Sequence, residues 1–177
     1  FLIFIVLASI LILIIDGRPI FYKQTRVGAN GKYFQIYKFR TMKEITLTEE
    51  DLEKLNERDS IVYKSSEDPR ITKLGIYLRK LSIDELPQIF NVMKNEMSFV
   101  GPRPPIVAEV KKYNLHHLKR ISIKPGITGL WQVTLRQDNS FEKWVEKDIE
   151  YIENWSVFQD IKILYKTLFE IIKMTGS

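Results

Sequence analysis

The chain has 177 residues, of which 45% are hydrophobic and 28% charged, and no cysteine. That is one medium domain with enough apolar residues for a core, and it excludes disulfide scaffolds, thiolate zinc clusters and cysteine nucleophiles. A net charge of +5 and an isoelectric point near 9.3 point to phosphate-bearing partners, a class that includes nucleic acid, anionic lipid and nucleotide substrates.

Phe1 to Ile15 is an apolar run broken only by Ser9. At a rise of about 1.5 Å per residue it reaches roughly 22 Å, short of the ~30 Å hydrocarbon core of a bilayer. It reads as a re-entrant leg or a truncated span, with a buried core helix as the alternative. No basic region precedes it and no small-residue cleavage site follows before Asp16-Gly17-Arg18-Pro19, which argues against a signal peptide. A first residue other than methionine reads as part of a longer protein. Between Arg18 and Lys43 there are seven basic residues (Arg18, Lys23, Arg26, Lys32, Lys38, Arg40, Lys43) and no acid, a flank that marks the cytoplasmic side of a membrane segment. The expected division is a membrane segment over residues 1–16 and a cytoplasmic domain, lying against the membrane, over residues 17–177.

Ile20-Phe21-Tyr22 and Tyr33 to Phe39 are aromatic and alternating, and Gly28-Ala29-Asn30-Gly31 separates them, so a β-hairpin is expected. Glu44 to Asp59 carries seven acids against Lys54 and Arg58 and reads as a solvated helix or mobile segment. Leu86, Ile89, Phe90 and Met93 recur at helical spacing, which predicts a helix with one buried face beginning near Asp84. Asp84 and Glu85 then sit in its first turn. Ser82 and Glu85 match a Ser-x-x-Glu capping box, an ordinary structural role, yet carboxylates held ionised by a helix dipole also suit a nucleophile toward phosphorus and a partner for magnesium.

Val100-Gly101-Pro102-Arg103-Pro104-Pro105 is a stiff turn around one guanidinium, apt for gripping a phosphate. Lys124 to Val133 joins a Pro-Gly turn to a strand-like run in which Trp131 reads as a core anchor. His116 and His117 read as surface residues. Val157, Ile161, Leu164, Leu168 and Ile171 or Ile172 recur at helical spacing opposite Lys162, Lys166, Glu170 and Lys173, as a core-packing helix or an interfacial helix with a basic face.

Lys38-Phe39-Arg40-Thr41-Met42, Leu81 to Gln88, Met97 to Pro104 and Lys124 to Gly129 resemble the bacterial sugar transferases, the monotopic phosphoglycosyl transferases, along nearly the whole chain. The ending Tyr151 to Lys162 is similar to the larger members, in which this domain follows an N-terminal membrane region. The resemblance implies transfer of a sugar 1-phosphate from a UDP-sugar to undecaprenyl phosphate, with UMP released and an aspartyl-phosphosugar intermediate on the way; glucose, galactose and an N-acetylated hexosamine all remain open as the sugar, with a plain hexose preferred. By resemblance Asp84 is the nucleophile, Glu85 its catalytic partner and Mg2+ ligand, and Lys38, Arg40, Arg79, Pro102, Arg103, Pro104, Arg136 and Asp148 bind substrate. The family's Gly-Arg after a Trp-Gln-Val strand is here Leu135-Arg136. The implied fold is α+β and mainly helical, with a re-entrant membrane leg, a β-hairpin and amphipathic interfacial helices, on the cytoplasmic face of the bacterial inner membrane. Membrane lipid is an expected partner and nucleic acid is not; the apolar C-terminal helix leaves room for a homodimer.

Three rivals make different predictions. A membrane-tethered scaffold that grips anionic lipid through the basic hairpin would not depend on Asp84. A nucleic-acid binder would show salt-sensitive polynucleotide binding. A phosphatase acting through an aspartyl-phosphate would release sugar phosphate to water.

Overall fold

A computed structural model describes residues 2–56, 65, 68–135 and 138–173. The fold is α+β with helices predominating. Helix α1 (Leu2–Ile15) leads into an antiparallel hairpin of β1 (Phe21–Val27) and β2 (Tyr33–Phe39). There follow α2 (Glu49–Leu55), α3 (Lys73–Lys80), a 3-10 segment (Ile83–Gln88) that runs into α4 (Ile89–Met93), β3 (Ser98–Val100) and α5 (Val107–Val110). A short 3-10 turn (His117–Ile121), β4 (Gly126–Thr128), α6 (Leu130–Thr134), α7 (Phe141–Glu153) and α8 (Val157–Ile172) complete it.

The hairpin pairs Phe21 with Phe39 through Val27 with Tyr33. Its turn places Asn30 at φ 54° and Gly31 at φ 76°, the left-handed region that these two residue types tolerate best. Phe34 and Ile36 point inward onto Met97. Strands β3 and β4 run parallel, with Val100 opposite Thr128. A methyl group on Gly126 would run into the backbone of Gly101 and Val100, so this glycine lets the two strands close. The approach locks the Pro-Arg-Pro turn: Gly101 N–H donates to Thr128 O at 2.9 Å and Gly126 N–H to Pro102 O at 2.9 Å.

Helix α1 buries only one face. Ile5, Ala8 and Ile12 pack with Phe39 and Leu78 and against Ile83, Leu86 and Ile89, while Ile3, Phe4, Val6, Leu7, Ile10, Leu11, Leu13, Ile14 and Ile15 are exposed. Among the described residues no helix is long and apolar enough to cross a membrane.

The segment around Asp84 differs from its expected form. Ser82 adopts φ 54° and its side chain makes no capping hydrogen bond, so the capping box does not form. Residues 83–88 are 3-10 rather than α. The buried set is Asp84, Pro87, Gln88 and Asn91, whereas Phe90 and Met93 are exposed. The apolar spacing misleads because Leu86 and Ile89 meet α1 while polar side chains turn toward the hairpin. Asn91 makes that turn possible: its amide donates to Gln35 O at 2.6 Å and Glu96 Oε2 at 2.7 Å, and its oxygen accepts from Tyr37 N–H at 3.1 Å. Asn91→Ala removes three hydrogen bonds made by a buried amide and leaves part-buried partners of both kinds unmet, and is expected to lower the unfolding free energy by about 2–4 kcal/mol, read from denaturant melts in detergent.

Helix α7 buries Phe141, Trp144, Val145, Asp148 and Ile149, and Trp144 stacks on Trp131 with centroids 4.6 Å apart. Trp131 is thus the expected core anchor, but on α6: the strand-like run over Trp131-Gln132-Val133 is a helix. His117 is buried rather than exposed, with Nε2 3.0 Å from Glu142 Oε1 and its ring edge-on to Phe141. The acidic stretch contains α2 and otherwise has no regular secondary structure as far as residue 56; residues 57–59 lie outside the described set.

The C-terminal helix α8 is not a core helix. Its buried residue is Ile163, which packs with Val100 and Tyr151, and Thr167 bonds Thr128 across 2.8 Å. Val157, Phe158, Ile161, Leu164, Tyr165, Leu168, Phe169 and Ile172 face outward, 41–75% exposed. The apolar stripe read from the sequence exists, turned away from the protein.

Candidate active site

Asp84 and Glu85 lie in the first turn of the 3-10 segment, against β2. Lys38, on β2, donates to Glu85 Oε1 at 2.6 Å, and both side chains are partly exposed. Asp84 is buried. Burial pushes its carboxyl up to about 6, Lys38 and Arg79 pull it back, and Glu85 adds to the rise. The expected effect of a helix dipole is therefore overridden by desolvation. A carboxyl near 6 is mostly ionised at neutral pH and more basic than an exposed aspartate.

Arg79, in the last turn of α3, donates from Nε to Thr41 Oγ1 at 2.9 Å. Arg40 is turned the other way: its Nη2 donates to Asp16 O at 2.6 Å and Gly17 O at 2.9 Å, closing the C-terminal end of α1. Asp16 in turn accepts from Thr72 Oγ1 at 2.7 Å. Arg40 thus fixes α1 to the hairpin.

In the Pro-Arg-Pro turn Pro102 and Pro104 are buried, so their rings are structural and what they present outward is Arg103. That guanidinium is partly exposed, 3.6 Å from Glu109 Oε1. Glu109 is itself buried and accepts from Ile106 N–H at 3.2 Å. Asp148 is fully buried on α7, where Arg120 donates to its Oδ2 from both Nε and Nη2 at 2.7 Å. Burial pushes the Asp148 carboxyl up to about 6 against the pull of Arg120. Arg120 also donates to Tyr113 Oη at 3.0 Å. The structure therefore places Asp148 inside the fold, behind Arg103, rather than open to a ligand. Arg136 lies outside the described residues.

Arg26 belongs to this set although sequence reasoning counted it only within the basic stretch. It is buried, donates from Nη1 to Pro104 O at 2.9 Å, and its backbone bridges Ile106. Burial and Arg103 pull its guanidinium down to about 10, and Glu109 and Glu85 oppose them. Arg26 thus lies electrostatically between the carboxylate pair and the Pro-Arg-Pro turn. The available signal was the absence of any acid in residues 18–43, which does not tell one cation from another. The result is a buried carboxylate flanked by a second carboxylate, Lys38 and Arg79, with Arg26 beyond Glu85 and Arg103 beyond Arg26, a layout suited to a polyanionic substrate.

A model of the bacterial sugar transferases matches residues 1–174. The chain is 47% identical over 164 residues to the galactosyl transferase CpsE of Streptococcus agalactiae serotype III, covering 92% of this chain and 36% of that protein. It is 42% identical over 169 residues to the undecaprenyl-phosphate galactose phosphotransferase of Salmonella typhimurium, covering 92% and 35%. It is 41% identical over 161 residues to the UDP-glucose:undecaprenyl-phosphate glucose-1-phosphate transferase of Escherichia coli, covering 86% and 32%. The chain spans about a third of the length of these three relatives.

Proposed function

Because the chain belongs to the bacterial sugar transferase family, we propose that it transfers a hexose 1-phosphate from a UDP-hexose to undecaprenyl phosphate, with Asp84 as nucleophile. The observation that carries the reading is the burial of Asp84 beside the Lys38–Glu85 pair, which keeps a carboxylate poorly solvated and basic. An Asp84 oxygen attacks the phosphorus that bears the sugar, forming an acyl-phosphate bond while the bond to the uridylyl phosphate breaks and UMP leaves. The phosphate oxygen of the lipid then attacks the same phosphorus, the bond to Asp84 breaks, and the carboxylate is regenerated. Arg103 and Arg26 neutralise charge on the diphosphate, and Lys38 and Arg79 keep Asp84 ionised.

The donor set fits magnesium in the usual way for a phosphate site. Among the described residues no group of three or more His, Cys, Asp and Glu side chains could hold a metal, but Mg2+ is commonly held by one or two carboxylates together with substrate phosphates. Glu85, partly exposed beside Asp84, is the residue that would hold it, and the ion would supply neutralisation of phosphate charge. The outward faces of α1 and α8 are the surfaces that would moor the domain at the cytoplasmic face of the inner membrane, where the lipid phosphate lies.

Detergent-held full-length protein with Mg2+, undecaprenyl phosphate and UDP-galactose or UDP-glucose is expected to release UMP and form a lipid-linked sugar. The acid limb of kcat/KM is expected near pH 6, because Asp84 must be ionised to attack. Lys38→Met removes a charge that lowers the Asp84 pKa, so the limb is expected to move to higher pH. A limb unmoved by Lys38→Met, or no UMP release with either donor, would count against the assignment.

A further inference from the structure

Apart from the residues around Asp84, a partly open, cation-lined cavity lies between α6, α7 and α8. It has a volume of about 230 Å3 and is lined by Lys147, Glu150, Gln159, Lys162, Ile163 and Lys166, with Leu130 and Thr134 completing the wall. Lys147 is neutralised by Glu150 at 2.6 Å. Lys162 and Lys166 have no ion-pair partner among the described residues, and one helical turn apart on α8 they leave two positive charges at one opening. Gln159 Oε1, one turn earlier on the same face, is buried without a hydrogen-bond donor.

These features specify a ligand. Two ammonium groups call for a phosphate, and a buried acceptor without a donor calls for a hydroxyl or ammonium close to that phosphate. Pockets for whole small molecules run to ~300–1,000 Å3, so this cavity suits one headgroup rather than a nucleotide sugar. The helix that supplies the lysines turns Ile161, Leu164, Tyr165 and Leu168 outward, and Ile161 adjoins Lys162 in sequence, so cavity and apolar face meet along α8. We propose that the cavity between α6, α7 and α8 is a binding site for an anionic phospholipid headgroup, its phosphate held by Lys162 and Lys166 and its hydroxyl donating to Gln159. The site is independent of the Asp84 chemistry and would hold the domain in one orientation on an anionic leaflet.

The test titrates detergent-held full-length protein with dihexanoyl phosphatidylglycerol, dihexanoyl phosphatidylcholine, dihexanoyl phosphatidic acid and inorganic phosphate at constant ionic strength. Saturable binding of phosphatidylglycerol is expected, with phosphatidylcholine at least tenfold weaker. Lys162→Gln/Lys166→Gln is expected to weaken phosphatidylglycerol by tenfold or more, each lysine near an anionic surface contributing about fivefold. The uncharged change Gln159→Ala is expected to erase the preference for phosphatidylglycerol over phosphatidic acid, which lacks the headgroup hydroxyl. Lys162→Gln alone, at an exposed position, gives an intermediate loss without disturbing the fold. Undiminished binding in the double variant, a Gln159→Ala variant with parental selectivity, or inorganic phosphate binding as tightly as the lipid would each overturn the proposal, the last by marking a site for free anions.

Discussion

Asp84→Asn is expected to abolish sugar-phosphate transfer, by roughly 10³-fold or more, as loss of a covalent nucleophile does. The same change is expected to leave the protein at least as stable as the parent. Burial raises the Asp84 carboxyl from 3.8 to about 6, so the folded state binds the proton more tightly than the unfolded one. The ionised form is then a liability to stability that is absent below about pH 4, builds between pH 4 and 6, and is complete above that. Asparagine removes it, so the melting temperature of the variant should match the parent at acid pH and equal or exceed it at pH 7. A residue serving only as a structural cap would behave the other way, with stability falling and activity following it. Activity assays and melts on one preparation separate the two roles.

Breaking the buried pair of Arg120 and Asp148 is the change with the largest expected effect on stability. Arg120→Met leaves a buried carboxylate without its bonded cation, and Asp148→Leu leaves a buried guanidinium without its bonded anion; each is expected to cost about 3–5 kcal/mol. Both side chains are almost wholly inaccessible and 2.7 Å apart, so the double variant Arg120→Met/Asp148→Leu should recover most of that loss. A thermodynamic cycle from melts of the four proteins measures the coupling. Full stability in Asp148→Leu with loss of donor binding would instead assign Asp148 to the substrate. The pair lies behind Arg103 through Tyr113 and Glu109, so the double variant also tests whether Arg103 needs that support to hold a phosphate.

The sequence is most legible where local chemistry decides the outcome. The hairpin follows from alternation and from an Asn-Gly turn whose two residues adopt positive φ. The Pro-Arg-Pro run is the expected turn, pinned by backbone bonds to Thr128 and Gly126, and the Asp-Glu pair lies in the first turn of a helical segment beside a lysine of the hairpin. It is least legible where a side chain's role depends on what crosses it from far along the chain. Leu86, Ile89, Phe90 and Met93 share a helical spacing, yet α1 covers the first two and, among the described residues, Met93 is left 77% exposed. Asn91 looks misplaced among apolar neighbours until β2 supplies a carbonyl and an N–H for it. Arg40, just after β2, and Arg79, in the last turn of α3, both have a basic residue close by in sequence; one closes the end of α1 and the other acts on the Asp84 carboxyl. The stripe on α8 is visible from its period, but period alone does not say whether protein or bilayer meets it. His117 reads as a surface residue because Glu142, its partner, is 25 positions away.

A covalent bond to Asp84 is the centre of the proposed reaction, and the measurement that tests it most directly needs no lipid acceptor. Full-length protein is incubated with Mg2+, unlabelled UDP-hexose and radiolabelled UMP, and label is followed into the UDP-hexose. Formation and reversal of a phosphosugar-aspartyl bond makes that exchange proceed without undecaprenyl phosphate, so exchange is expected in the parent and none in Asp84→Asn. Transfer to added lipid by a parent that shows no exchange in its absence would mean direct displacement between the two substrates, and would contradict Asp84 as a covalent nucleophile.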